Sequence, residues 1–157
     1  MGSRSKVDLA YIAGFLDGDG SLMLQIKKRK DGNRPRKRFM TTMVFYQDSR
    51  HEKPLFWIRK ILNIGHISRR KDSITELRIQ GYRQIEKIVS SLLPFIKFKR
   101  IQAKILVQSA RLLQKRSLKA NDWRRLVDKI IRIQNENYVT KRKRNKRELL
   151  TALGLTP

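Results

Sequence analysis

Cysteine is absent from the chain, so disulfides and thiolate metal sites are excluded and the sequence carries no redox clue to compartment. Long apolar runs are missing too. No stretch approaches the ~18 residues of a membrane-spanning helix, and no lipidation signal is visible. Two histidines, His51 and His66, cannot build a histidine-metal finger without cysteine. There is no Gly-Lys-Ser/Thr phosphate loop, which leaves a nucleotide cofactor without support, and no Gly-x-Ser-x-Gly elbow. Acidic residues are scarce: 13 Asp and Glu stand against 38 Lys and Arg, for a net charge of +25. Solubility needs far less, so the excess calls for a polyanionic partner, with nucleic acid ahead of an anionic membrane.

The 157 residues are enough for one domain with a real core and no staples. No internal duplication and no low-complexity linker divides them. The expectation is a single domain over 1–157, with a core at about 7–113 and extra C-terminal helices at about 121–154. Met1-Gly2-Ser3 resembles a remnant of recombinant expression and is set aside.

The stretch Leu9-Ala-Tyr-Ile-Ala-Gly-Phe-Leu-Asp-Gly-Asp-Gly-Ser21 concentrates acids and small residues. Leu9, Ile12 and Leu16 recur at helical spacing, Asp8 is the candidate N-cap, and Gly20-Ser21 stops the pattern. Ala10, Ala13, Gly14 and Gly18 leave the other side nearly bare, so another backbone can approach closely there. Asp17 and Asp19 fall at the helix C-terminus, where the dipole disfavours carboxylates by a few tenths to roughly 1 kcal/mol each. Something positive must compensate. Two such helices packed through their small faces would bring two Asp19 carboxylates together as a site for a hard divalent cation. A plain Asp-Gly turn is the alternative. A calcium loop counted from Asp17 fails, because its sixth and twelfth positions are Leu22 and Lys28.

Ser21 to Lys28 alternates, with Leu22, Leu24 and Ile26 inward and Met23, Gln25 and Lys27 outward. A second strand, about Lys37 to Gln47, buries Phe39, Met43 and Phe45 and turns Arg38, Met40, Thr42 and Val44 the other way. Between them Arg29-Lys30-Asp31-Gly32-Asn33-Arg34-Pro35-Arg36 reads as a cationic hairpin turn. Pro54 opens a helix through Leu62 that Asn63 to Gly65 ends. A second hairpin, His66 to Arg70 and Ile74 to Gln80, has Ile67, Leu77 and Ile79 inward and His66, Ser68, Arg70, Glu76, Arg78 and Gln80 outward. A helix through Ile85 to Leu92 closes at Pro94. The order α-β-β-α-β-β-α predicts an α+β fold, a four-stranded antiparallel sheet with helices on one face. The other face is left open, polar and cationic, suited to a nucleic-acid groove. Further helices follow through Ala103 to Leu113, from a cap at Asn121 or Asp122, and through Leu149 to Leu153. The run Lys141 to Arg147 reads equally as a phosphate clamp, a nuclear signal, or a solvated helix or tail.

Leu9 to Ser21 resembles the signature of the LAGLIDADG homing endonucleases, specifically the small single-motif members encoded in organellar introns. The resemblance covers roughly Val7 to Gln108. It implies the same αββαββα saddle, and a homodimer with the motif helices at the two-fold axis and Ala10, Ala13, Gly14 and Asp17 in the interface. It also implies magnesium held by the Asp19 carboxylate and the Gly18 carbonyl of each copy, with Mn2+ substituting and Ca2+ supporting binding without turnover. Gln47 and Lys99 match positions that order water and compensate charge. The family's basic residue is expected four positions after Gln47. That position holds His51 here and Lys53 lies two further on, so both stay candidates; His51 would titrate near neutrality. An Asp then Glu-x-Lys nuclease would have to use Asp72, Glu76 and Arg78, with Arg where Lys is needed.

The expected function is therefore a site-specific, magnesium-dependent endonuclease acting on double-stranded DNA. By resemblance its target is long and pseudo-palindromic, its cuts leave short 3′ overhangs, and it serves intron homing. Gln25, Arg38, Arg70, Glu76 and Arg78 would reach base edges and the basic loops, with Arg29, Lys30 and Arg34, phosphates; Lys27, Met40, Thr42, Val44, His66, Ser68 and Gln80 complete the expected DNA-binding surface. The alternatives are an RNA-binding maturase, which the family includes, and a catalytically silent DNA-binding protein. The resemblance places the protein in a chloroplast or mitochondrion, with a prokaryotic cytoplasm as the other option.

Overall fold

Ser5 starts the first helix, its Oγ accepting the Asp8 N–H at 3.0 Å. Helix α1 spans Lys6–Asp19. The expectation of a cap at Asp8 is corrected: the free donors are met three residues earlier, and Asp8 falls in the first turn, where the dipole favours a carboxylate. The computed structural model describes residues 4–31, 34–137 and 143–157, with side chains for all of these but 29–31 and 34–36.

From Gly20 the chain extends at once. Strands β1 (Gly20–Asp31), β2 (Arg34–Asp48), β3 (His66–Arg69) and β4 (Ile74–Gln80) form an antiparallel sheet in the order β1-β2-β4-β3. A 3-10 turn at Ser49–His51 leads into α2 (Lys53–Leu62), which has Pro54 in its first turn and ends on Asn63 at φ 54°. Asn is one of the few residues that accepts the left-handed region there. Helix α3 (Tyr82–Leu92) completes the predicted α-β-β-α-β-β-α order. Helices α4 (Arg100–Leu112), α5 (Ala120–Glu136) and α6 (Lys146–Ala152) follow.

The strands give only alternate residues to the core: Leu22, Leu24 and Ile26, then Phe39, Met43 and Phe45, then Leu77 and Ile79. These join Ile12 and Leu16 of α1, Ile85 to Leu92 of α3, and Ala103, Leu106 and Ala110 of α4 in one apolar cluster. Because only one side of each strand takes part, the helices cover one face of the sheet and the other stays open. Leu126, Val127, Ile130 and Ile133 of α5 and Leu149 and Leu150 of α6 belong to the same cluster.

Two boundaries differ from the sequence reading, and a third stretch is only partly described. The basic stretch expected as a turn is mostly strand, because β1 continues to Asp31 and β2 begins at Arg34; Gly32 and Asn33 lie outside the described residues. Helix α5 starts after Lys119 rather than at Asn121 or Asp122, and Asp122 reaches back to accept the Lys119 N–H at 3.1 Å. In the run from Lys141 to Arg147, Lys141 and Arg142 lie outside the described residues, as do Met1 to Ser3. The described part is anchored. Gln134 of α5 bonds both the N–H and the C=O of Arg144 at 3.0 Å, and Asn145 caps α6 by accepting the Glu148 N–H at 2.9 Å.

Candidate active site

Helix α1 has no basic residue in its last turn, yet its C-terminal end and its two acids need a cation. Lys99 supplies it from the loop before α4, its Nζ donating to the Asp17 carbonyl. Burial pushes the Lys99 ammonium below the usual lysine value, while the charges of Asp17 and Asp19 pull the other way. The Asp17 carboxylate accepts the backbone N–H groups of Lys97, Phe98 and Lys99 at 2.7, 3.0 and 2.9 Å. Burial pushes this carboxyl up, but the three N–H bonds and the Lys99 charge prevail and hold it below the usual carboxylate range.

Asp19 is different. It is exposed, and among the described residues its carboxylate makes no hydrogen bond or ion pair, though its charge acts on Lys99. Gly18 beside it is exposed, with open space where a Cβ would stand. Hard oxygen donors of this kind suit magnesium. Among the described residues no three of His, Cys, Asp or Glu come together as a metal-binding group. A cleft of about 720 Å³ wraps the edge strand β1: Gly18, Asp19 and Lys99 line it together with Met23, Gln25, Lys27, Tyr46 and Arg70 of the open face on one side and Gln102, Ile130, Ile133 and Leu149 of the helices on the other.

Gln47, at the end of β2, is partly buried and accepts the Asp48 N–H at 2.9 Å through its own Oε1. His51 and Lys53 are exposed in the corner that follows. Arg50, between them and Gln47, is taken up by Asp48 through contacts of 3.0 and 2.8 Å. None of Gln47, His51 and Lys53 bonds to Asp19 or Lys99 among the described residues, so the structure does not bring these expected partners into contact within one protomer. What holds the corner was missed in the sequence. The Glu52 carboxylate takes Arg69 Nε at 3.1 and 3.0 Å and the Thr75 hydroxyl at 2.6 Å, and Thr75 Oγ1 also lies 2.8 Å from Ser49 Oγ. The signal was there: Thr75 is a hydroxyl on the inward row of β4, fully buried next to Leu77 and Ile79, and such a group needs a partner.

The register sets out the open face row by row. Lys27 stands opposite Arg38, Gln25 opposite Met40, and Thr42 between Met23 and Gln80. Val44 lies between Ser21 and Arg78, with His66 beyond Arg78 and Ser68 opposite Glu76. The expected outward set thus shares one surface, which Met23 and Tyr46 complete. Thr42 and Val44 do not reach out from it. Both are 0% exposed, because they sit on a central strand between longer neighbours, and Val44 is not part of the core cluster on the other side. They form its floor, as Glu76 largely does while holding Arg78 at 3.0 Å. Arg70 is exposed and paired with Asp72 at 2.7 Å. Towards the hairpin tip Lys27 faces Arg38, Lys28 faces Lys37 and Arg29 faces Arg36. The side chains of Arg29, Lys30 and Arg34 lie outside the described residues. Directly opposed like charges destabilise a ladder; among the described side chains the Lys27–Arg38 rung continues the open face, whereas Lys28 and Lys37 follow Ile26 and Phe39 onto the helix side, where the Lys37 Nζ donates to the Ala152 carbonyl.

The bare flank of α1 is real but differently composed. Gly14 and Gly18 have no neighbour within 4 Å of a built Cβ, and Ala10 is exposed. Val7 and Tyr11 continue the stripe at 78% and 53% exposure, and the steps of four from Val7 to Tyr11 and three from Tyr11 to Gly14 were readable in the sequence. Ala13 is corrected: it is 0% exposed and turns inward with Ile12 and Leu16. Asp17 is occupied within its own chain.

A family model described as LAGLIDADG endonuclease matches residues 12–109. The DNA endonuclease I-CvuI of Chlorella vulgaris is 32% identical over 105 residues, covering 67% of this chain and 65% of that protein. The DNA endonuclease I-CreI of Chlamydomonas reinhardtii is 26% identical over 107 residues, covering 66% and 63%. The chain thus spans just under two thirds of the length of the curated relatives it matches. The crystal structure of I-CvuI with its target in the presence of calcium superposes with a TM-score of 0.81 at 26% identity, over 96% of this chain and 97% of that one. Another I-CvuI structure, with the I-CreI target and magnesium and the DNA not cleaved, gives 0.77 at 26% identity over 97% and 98%. With the motif helix, the four-stranded saddle and the terminal acid in place, the chain belongs to the LAGLIDADG endonuclease family.

Proposed function

We propose that the chain is a homodimeric, site-specific endonuclease that binds double-stranded DNA on the open faces of two sheets and cuts both strands at the axis between them. The observation that carries this reading is the isolated Asp19. It sits unpaired at the end of a helix whose neighbouring flank is bare, and lines a cleft that reaches the open face of a cationic sheet. Alone it is an incomplete ligand set, and a second copy packed along Gly14 and Gly18 supplies its counterpart. The Asp19 carboxylate and the Gly18 carbonyl are the residues that would hold magnesium, which when bound polarises the scissile phosphate and lowers the pKa of the attacking water. Lys99 brings positive charge to the same end of α1, where negative charge develops on phosphate. Gln47, two residues past the Phe45 rung opposite Gly20, and either His51 or Lys53 in the corner that follows would order solvent.

On this reading Mn2+ replaces magnesium, and Ca2+ supports binding without turnover, because calcium accepts looser geometry. The target is long and pseudo-palindromic, as two-fold symmetry requires, and the cuts leave short 3′ overhangs. The organisms of the two curated relatives support an organellar, intron-encoded origin. The deciding experiment is selection of cleaved sites from a random duplex library with magnesium. Recovery of a pseudo-palindromic consensus with staggered ends supports the proposal, and a library left intact at every protein concentration defeats it.

A further inference from the structure

Asp17 and Lys99 lie 82 residues apart in sequence and meet through both backbone and side chain. The Asp17 carboxylate accepts three consecutive backbone N–H groups: Oδ2 takes Lys97 at 2.7 Å and Phe98 at 3.0 Å, and Oδ1 takes Lys99 at 2.9 Å. In return the Lys99 Nζ donates to the Asp17 carbonyl. The exchange also joins two helix ends of opposite polarity. Helix α4 begins just after Lys99 with no acid in its first turn and no side-chain cap, and Asp17 supplies the missing negative charge there. Helix α1 ends without a base of its own, and Lys99 supplies the positive charge. Each residue therefore does for the other's helix what that helix lacks.

We propose that Asp17 is a positioning residue, which fixes the Lys97–Lys99 loop so that the Lys99 ammonium stays at the α1 terminus beside Asp19. The proposal rests on the endonuclease reading. It removes Asp17 from the subunit interface, where the sequence had placed it, and makes it act through Lys99 alone. Three N–H bonds to one carboxylate fix the loop backbone, whereas a lone bond at Nζ would leave four methylenes free to swing. Freed of its anchor, Lys99 would keep its charge and lose its place.

The test is a double-mutant cycle read by single-turnover cleavage of one preferred duplex with magnesium, using Asp17→Asn, Lys99→Met and the pair. Asp17→Asn should slow cleavage about 10- to 100-fold, the order that a misplacement of about 1 Å costs, with duplex affinity and sedimentation unchanged. In the Lys99→Met background it should slow cleavage no further. Amide hydrogen exchange without DNA should accelerate at residues 97–99 in Asp17→Asn. Should that variant fail to fold, Asp17→Ser, whose hydroxyl still accepts one N–H, takes its place in the cycle. Losses that multiply in the double variant overturn the proposal, because Asp17 would then act independently of Lys99. A variant that becomes monomeric overturns it in favour of an interface role. Unchanged exchange at 97–99 refutes the anchoring itself, whereas a wild type that cuts nothing in the library selection defeats the endonuclease reading, so the two failures are told apart.

Discussion

Lys27 of β1 stands directly opposite Arg38 of β2 on the open face of the sheet, and both are exposed. Two cations on one rung cost stability, about 0.2–1 kcal/mol against a neutral pair. Lys27→Gln is therefore expected to stabilise the free protein slightly and to weaken binding to all duplexes alike, lowering the slope of log K against log salt by about one. Thermal melts and filter binding over a salt series measure the two signs. A variant that is neither more stable nor less salt-dependent would show that Lys27 does not face phosphate.

Gly14→Val tests assembly. The open space at Gly14 within one protomer means that valine meets nothing in its own chain, so the monomer should fold normally. Across a two-fold axis it would push the helices apart, at about 1 to 3 kcal/mol per copy. Sedimentation should show a folded monomer without cleavage activity, and a Gly14→Val dimer that still cuts would rule out this flank as the interface.

Arg70→Ala tests readout. Arg70 is exposed on the open face and paired with an equally exposed Asp72. Its loss should relax base preference at one symmetric pair of positions, at about 1 to 3 kcal/mol for each bidentate contact. A site-by-site base scan that finds the loss uniform over sequence would assign Arg70 to phosphate instead.

Asp19→Asn tests the chemistry. It keeps the shape while removing charge at an acid with no hydrogen-bond or ion-pair partner among the described residues. Cleavage should vanish, and duplex binding should hold or tighten in the same buffer, since repulsion between two acids and the DNA backbone is relieved. Asp17→Asn should be the milder change. Calcium should let the wild type bind the duplex without cutting it. A nicking assay on the preferred duplex reads all three, and residual cutting by Asp19→Asn would move the metal site elsewhere.

Glu52→Gln tests the corner after β2. Hydrogen bonds from Arg69 and then Thr75 hold the Glu52 carboxyl below its usual value. A depressed folded value means that the stabilisation is fully present above the unfolded value, about 4.3, and is lost as pH falls through the folded value. The gap in melting temperature between wild type and Glu52→Gln should be widest at neutral pH and close in acid below pH 4. A gap that widens on acidification would contradict this sign.

Most of the scaffold was legible because it rests on periodicity. The alternation in β1, β2 and β4 and the helical spacing of Leu9, Ile12 and Leu16 follow from which side faces the core. What was illegible depends on neighbours. Ala13 is small, and a small residue on a helix edge suits either the core or a close interface, so only the packing decides. Thr42 and Val44 alternate outward correctly but lie on a central strand, where side chains from both flanking strands close over them. Beyond Lys28 the two strands stay paired, yet the charge of this stretch suggested a loop, because solvent is the usual destination of so many cations. The bond from Asp17 to the Lys97–Lys99 backbone leaves no trace in composition, since any residue has an N–H to give.

The Asp19 carboxylate at the end of α1, unpartnered among the described residues, has a consequence for dosage on the proposed dimeric reading. A protomer alone would then hold half of the metal ligands, so at concentrations below the dimer dissociation constant cutting capacity should fall with the square of the amount of protein rather than in proportion to it. Such a dependence would be a built-in threshold on double-strand cutting: traces of the chain left after its target is gone would be disarmed by dilution, with no inhibitor needed.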